Sequence, residues 1–447
     1  MTQLKQEITL ISGIGQLSTT LLGTGLFMIP AIAAGIAGQL SLLAWLILFI
    51  AICPIALTFA ALGKRYPNAG GTAYFVRQAF SERLETSVAW LFVSVVPVGI
   101  PAAIALAGGF AQQLLPAPLD TPLGAQFITV ALLIVVNLMG SKSSGRLQTI
   151  TALSIFALVS AFVWKADIGA TDVVIPAITS DSIWSIGAAL AVMFWCFVGI
   201  EAFAHMGEEF KNPQRDFPIA IIAGCFVAGI VYWACSVVII KVGAYGSPEF
   251  DATSIPWVTE QLFGNGFKTV ISVLGFFACF ASLNLYTQSL SRMIWAQARQ
   301  HRPESRMAKL NSHGVPLYPT LAIGFIALIS CVIGELSDLD LEFFLKLANG
   351  IFVLVYLLAM LAACRLLTGT SRYTAMVALV ICTLVFICLL TLSLFFLKNF
   401  FRYLASYVIT FLRTGIVKDL RDKLYHKIVE LPISYFTEKR KGDIIAR

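Results

Sequence analysis

The chain has 447 residues, 58% of them hydrophobic and only 12% charged, with a mean hydropathy of +0.85. No soluble domain of this size carries that composition; stretches of about 20 apolar residues recur along the chain, the pattern of a polytopic helical membrane protein. The formal net charge of +7 is uneven: residues 1–396 carry 20 Lys/Arg against 19 Asp/Glu, and residues 397–447 carry 11 against 5.

Eleven spans are expected, at 9–36, 40–62, 87–114, 124–140, 148–165, 183–206, 217–242, 267–297, 317–334, 343–364 and 374–396. The first run is too long and too Gly-rich for a signal h-region, lacks a cleavage site, and reads as a retained helix. Within it lies Gly23-Thr24-Gly25-Leu26-Phe27, with Pro30 just beyond. Glycine costs about 1 kcal/mol relative to alanine in a helix interior. The stretch therefore reads as a helix built to open. In a bilayer, freed backbone groups are tolerated only where they face protein, a cavity or a ligand. Two readings stand for this segment: half of a small-molecule site, or close helix packing through small residues.

The basic residues orient the bundle. With the N-terminus and Lys5 in the cytoplasm, inside loops hold Lys64, Arg65, Arg77, Arg83, Lys142, Arg146, Lys211, Arg215, Arg299, Arg302, Arg306, Lys309, Arg365 and Arg372. Outside loops hold only Lys165, Lys241 and Lys268, a bias that also supports the span count.

Span six carries the second interruption: Phe194-Trp195-Cys196-Phe197-Val198-Gly199-Ile200-Glu201, with His205 one turn further on. An ionisable group at mid-membrane is a functional hypothesis by default. The alternative is a structural Glu201, satisfied by backbone N–H groups of the broken helix. The two roles are compatible. Spans one and six open two five-span halves, repeat one at 9–165 and repeat two at 183–364. An odd number of spans makes the second half enter from the opposite side. Paired interruptions in two inverted halves point to a transporter site at the midplane. The expected fold is thus an all-α polytopic membrane protein with a 5+5 inverted repeat, broken helices 1 and 6, and 11–12 transmembrane helices.

The two breaks differ chemically. At the first, freed N–H groups and the positive end of a half-helix favour a carboxylate. Gly23 and Gly25 let a ligand approach the backbone, and Thr24 adds a hydroxyl or caps the half-helix. At the second, freed carbonyls around Trp195, Cys196 and Val198, beside Gly199 and Ile200, would accept from an ammonium. Together they describe a zwitterionic α-amino acid. Further lining is expected from Pro97-Val98-Gly99-Ile100-Pro101 in span three and from Phe276, Phe280, Ser282, Asn284 and Tyr286 in span eight. Few charges there suit an apolar side chain. Phe194 and Phe203 read as core aromatics, and Arg292 as lying beyond the site.

Enzyme chemistry is not expected. The nine cysteines form no CxxC pair and read as small buried hydrophobes, and the four histidines are scattered. No phosphate-binding, nucleophile-elbow or dinucleotide motif occurs. Neither a metal, a cofactor nor a nucleic-acid partner is expected.

Four ordered motifs resemble the amino acid–polyamine–organocation (APC) superfamily, whose fold is the LeuT-like one: Gly23-Thr24-Gly25-Leu26-Phe27 with Pro30, Tyr66-Pro67-Asn68-Ala69-Gly70-Gly71, Phe194 through Glu201, and Glu209-Phe210-Lys211-Asn212-Pro213-Gln214-Arg215-Asp216-Phe217-Pro218. Within it, residues 1–390 resemble bacterial exporters of L-methionine and branched-chain amino acids. The resemblance implies efflux of neutral amino acids across the bacterial inner membrane, driven by protons. It implies substrate contacts at Gly23, Thr24, Gly25, Trp195, Cys196 and Val198, with Trp195 also a gate. It makes Glu201, and more weakly His205, the proton-coupling candidates. Sodium coupling through Ser282 and backbone carbonyls stays open.

The end departs from that pattern. After helix eleven at 374–396, residues 397–447 read as a basic helical tail resembling part of an ABC exporter's transmembrane domain, through Leu431-Pro432-Ile433-Ser434-Tyr435-Phe436 and Lys441-Gly442-Asp443. A fused or truncated reading frame is the favoured explanation. A natural tail that crosses the membrane at 399–417 is the other.

Overall fold

The computed structural model describes residues 4–169, 173, 176–247, 250–337 and 341–387. The chain divides into two units, Met1–Phe386 and Ile387–Arg447. The end of helix eleven, the boundary expected at 396/397, Cys388 and the basic tail lie outside the described residues.

Among the described residues the regular structure is helical, with two isolated β-bridges. Among the described residues, eight helices are long and apolar enough to cross a membrane. They correspond to expected spans two and five through eleven. Spans one, three and four are shorter or interrupted: span one is Leu10–Leu26 and Ile29–Ala37, span three is Glu82–Val93 and Gly99–Gln112, and span four is Pro122–Leu138. Span three begins earlier than expected and is itself broken, a feature the sequence reading did not include. Gly71–Ala79 and Phe250–Phe263 are helices where loops were expected. The first buries Thr72, Phe75 and Val76 on one face and packs against the Leu341–Leu366 helix of span ten.

Prolines place two of the breaks. A proline has no N–H, and its ring clashes with the carbonyl four residues earlier. Pro30 accordingly ends the first segment at Leu26, and Pro97 ends its segment at Val93. The opening in span one therefore lies at Phe27–Met28 rather than at the glycine pair; Gly23 and Gly25 are helical. Pro54, by contrast, sits inside Ser41–Arg65 without ending it. In span six the helix Ser180–Met193 tightens into a 3-10 turn at Phe194–Phe197, Val198 is extended, and Gly199 has φ +136° before Ile200–Phe203 resumes. That break falls where the sequence placed it, because only glycine adopts such a φ readily.

The packing fits a 5+5 inverted repeat. A two-fold relation between spans n and n+5 brings equivalent spans together. Ser41–Arg65 of span two packs on Pro213–Val242 of span seven, Gly99–Gln112 of span three on Lys268–His301 of span eight, and Pro122–Leu138 of span four on Leu317–Leu336 of span nine. The broken pair meets as well: Ile29–Ala37 packs on Ser180–Met193, and Leu10–Leu26 on Phe194–Phe197.

At the end of the bundle that carries the N-terminal segment, several links draw distant residues together. Ile8 N–H donates to Glu209 O, and Lys211 N–H to Ile8 O, both at 3.0 Å. Ala69 N–H donates to Glu208 Oε2 at 3.0 Å. Arg292 of span eight, fully buried, donates to the buried Glu209 carboxylate through Nε, and through Nη2 at 3.4 Å. Arg292 thus serves closure of this end, in agreement with its placement beyond the site.

Candidate functional site

A cavity with about 470 Å³ of empty space, its mouth included, lies where the interrupted spans face each other. Span one contributes Thr20, Leu21 and Thr24, and span six contributes Trp195 and Val198. Val95, Gly99, Ile100 and Ala103 line it from the break in span three. Ser282, Leu283 and Tyr286 of span eight and Phe352 of span ten complete the wall. No lining side chain is charged. Trp195 Nε1 donates to Thr24 Oγ1 at 3.3 Å, so the two breaks are joined across the cavity. Phe352 packs edge-on against Trp195 at 6.1 Å and tilted against Tyr286 at 5.6 Å. This aromatic cluster roofs one side of the space.

Glu201 lies directly behind this wall and is fully buried. Its carboxylate accepts from Gly199 N–H at 2.8 Å and from the Tyr286 hydroxyl at 2.9 Å. The Tyr356 hydroxyl of span ten donates to Phe197 O at 2.8 Å. Glu201 therefore ties the kink of span six to span eight, and Tyr356 ties the same kink to span ten through Phe197. A buried carboxylate with few donors is costly, and each donor is correspondingly strong.

Gly23 and Gly25 make the close helix contacts of the second reading. A Cβ on Gly23 would stand 1.9 Å from Ser282 Oγ and 2.6 Å from Ala278 O of span eight. A Cβ on Gly25 would stand 2.2 Å from Tyr232 Oη and 3.3 Å from Cys196 Sγ. Tyr232 is held there by donating to Leu21 O at 2.7 Å. Gly25→Leu is accordingly expected to part spans one and seven, costing about 1–3 kcal/mol by overpacking. A lowered unfolding midpoint of the detergent-purified variant checks this; an unchanged midpoint rejects the packing argument.

The geometry of two facing breaks is matched by family evidence. The sequence profile of the amino acid permease family covers residues 8–409. The chain belongs to the amino acid permease family. It is 46% identical over 384 residues to the L-methionine/branched-chain amino acid exporter of Escherichia coli strain K12, covering 86% of this chain and 92% of that protein. It is 25% identical over 371 residues to the serine/threonine exchanger of Bacillus subtilis strain 168, covering 80% and 82%. It is also 25% identical over 389 residues to the cadaverine/lysine antiporter of Escherichia coli strain K12, again covering 80% and 82%. The permease is thus a multi-pass membrane transporter of amino acids, not an enzyme.

The remaining site residues of the permease divide. Trp195, Val198 and Thr24 line the cavity, and Gly199 abuts it, with Thr20 Cγ2 2.9 Å from its ideal Cβ position. Ile200 is buried in the resumed helix. The Cys196 side chain turns toward Gly25 and Tyr232. Asn284 is not at the cavity: it accepts from Asn137 Nδ2 at 2.8 Å and donates to Ser144 Oγ, joining spans four, five and eight. His205 is also elsewhere. Its Nδ1 contacts Ala69 O at 3.1 Å and its ring stacks on Phe92 at 5.1 Å, clamping the Tyr66–Gly71 loop. Phe194 and Phe203 pack among core aromatics, as expected. Eight cysteines are described, all free, with Cys53 exposed on the outer face of span two rather than buried.

Thr20, Leu21, Val95, Ala103, Leu283 and Phe352 were not anticipated at the site. Thr20 stands one turn before Thr24 and shares its helix face, a signal available in the spacing. Phe352 lies in an unbroken apolar run and carries no mark of its role.

Proposed function

We propose that the permease exports neutral amino acids with apolar side chains, L-methionine, leucine, isoleucine and valine, across the bacterial inner membrane in exchange for protons, by alternating access. The observation that carries this reading is an uncharged cavity between two broken spans, walled by Val95, Ile100, Ala103, Leu283 and Phe352. Such a wall accepts an aliphatic or thioether chain and offers no counter-charge to a basic or acidic one. The name of the 46% identical relative supports the same substrates and direction.

In this reading the carboxylate lies against the Gly23-Thr24-Gly25 stretch, with the Thr24 hydroxyl toward it. The ammonium meets carbonyls of the 195–198 segment. Trp195 and Phe352 close over the ligand. Glu201, and secondarily His205, carries the proton, and the N-terminus is cytoplasmic.

Efflux of labelled methionine from proteoliposomes, with and without a pH gradient, tests the proposal. Efflux accelerated by the gradient supports it. Gradient-driven uptake would make the protein an importer, and saturable binding without flux would make it a sensor. Ala103→Phe should remove space from the apolar wall and lower methionine flux about tenfold or more, with valine affected less. Equal losses for both substrates would place the side chain elsewhere.

A further inference from the structure

Three aromatic rings from three different spans meet on one side of the transport cavity: Trp195 of span six, Tyr286 of span eight and Phe352 of span ten. Phe352 packs against both of the others, its plane turned 69° from Trp195 and 52° from Tyr286. It is 2% exposed and is braced by Phe92 of span three, edge-on at 6.4 Å. Spans ten and three approach closely there: a Cβ on Gly99 would stand 3.4 Å from Ala348 Cβ, one turn before Phe352. Phe352 therefore stands beside the apolar wall that span three contributes.

The polar side chains of the same lining are largely spent on the protein itself. The Thr20 hydroxyl donates to Gln16 O and the Ser282 hydroxyl to Thr20 O, both at 2.7 Å. The Tyr286 hydroxyl donates to Glu201 Oε1, and Trp195 Nε1 to Thr24 Oγ1. What Tyr286 and Trp195 have left for a ligand side chain is ring surface. Crossed rings present a face and an edge side by side, the face negative and the edge positive. A thioether has matching poles, lone pairs on sulfur and a slightly positive S-methyl group. Its polarisable sulfur gains from aromatic contact in a way that an alkyl carbon of the same shape does not.

We propose that this ring cluster, with Phe352 at its centre, selects a thioether side chain over a hydrocarbon of the same length, making methionine the preferred substrate among the neutral amino acids. The inference rests on the reading of this cavity as the site of an apolar amino acid. Burial alone gives the reverse order. Norleucine has the shape of methionine with a CH2 in place of sulfur, and it is the more hydrophobic of the two. A preference for methionine therefore reports the contacts that sulfur makes.

Labelled L-methionine is bound to the full-length protein in detergent and displaced by unlabelled methionine, selenomethionine or norleucine. Methionine is expected to compete about two- to tenfold better than norleucine, the range of a sulfur–aromatic contact. Selenomethionine, with the more polarisable selenium, should at least match methionine. Phe352→Leu keeps an apolar side chain and removes the ring, so the advantage of methionine over norleucine should fall to about onefold. Ile100→Val trims the wall without touching a ring and should shift both ligands alike. Should Phe352→Leu fail to fold, the order of the three ligands on the unaltered protein still decides. Norleucine competing as well as methionine or selenomethionine, an advantage unchanged in Phe352→Leu, or one that also collapses in Ile100→Val would overturn the proposal and leave the apolar-substrate reading standing. Absence of saturable methionine binding would overturn both.

Discussion

Gly199→Ala is expected to reduce methionine efflux more than a hundredfold while leaving membrane insertion intact. Two independent costs meet at this position. The backbone has φ +136°, a region that side chains with a Cβ occupy at a cost of about 1–3 kcal/mol. The added Cβ would also stand 2.9 Å from Thr20 Cγ2. Thr20 cannot easily give way, since it is buried and its hydroxyl donates to Gln16 O at 2.7 Å. A third loss follows if the backbone shifts, because Gly199 N–H holds the Glu201 carboxylate. A combined cost above about 3 kcal/mol corresponds to more than a hundredfold loss of the competent conformation. Gly187→Ala, in the same span with nothing within 4 Å of its ideal Cβ, is the control and should transport normally. Normal efflux by Gly199→Ala would reject the kink as a requirement.

Glu201→Ala is expected to destabilise the protein by about 2–6 kcal/mol, and Glu201→Gln hardly at all. Alanine orphans two buried donors, Gly199 N–H and the Tyr286 hydroxyl, at about 1–3 kcal/mol each. Glutamine keeps both partners. Its carbonyl oxygen accepts from Gly199 N–H, which can only donate, and its NH2 donates to Tyr286 Oη, which can turn and accept. The glutamine variant therefore removes the charge and the titratable proton without dismantling the kink. If Glu201 is the coupling group, Glu201→Gln should bind substrate but show efflux that no longer responds to the pH gradient. A gradient response equal to that of the unaltered protein would leave Glu201 with its structural role alone. Unfolding midpoints of both variants separate the stability effect from the coupling effect.

The fold was legible because each major feature leaves a chemical mark. Long apolar runs mark spans, and charge asymmetry fits their alternation. Gly199 was legible because its backbone conformation admits little else. The first break was displaced by a few residues because a glycine pair suggests weakness, whereas Pro30 removes a specific hydrogen bond and so decides the position. Gly23 and Gly25 stayed ambiguous for a different reason. A missing side chain serves a ligand or a neighbouring helix equally well, and the neighbours, Ser282 and Tyr232, lie more than 200 residues away. Asn284 was within reach of simple geometry: at 100° per residue, Ser282 and Tyr286 share a face that Asn284 does not. Phe352 was not, since an aromatic in an apolar run has no distinguishing neighbour. The link between Ile8 and Glu209 likewise has no local signature.

That last link has a mechanical consequence. Ile8 is stitched on both sides of its peptide to residues 209 and 211, immediately before Leu10–Leu26 and immediately after Ala204–Glu209. The arms of spans one and six at this end are thereby hitched to one crossbar. Opening this end of the bundle either swings both arms together as a single lever or breaks two backbone hydrogen bonds, worth about 0.5–1.5 kcal/mol each. The hitch favours one concerted stroke over two independent gates, and it makes residues 4–9 part of the moving machinery.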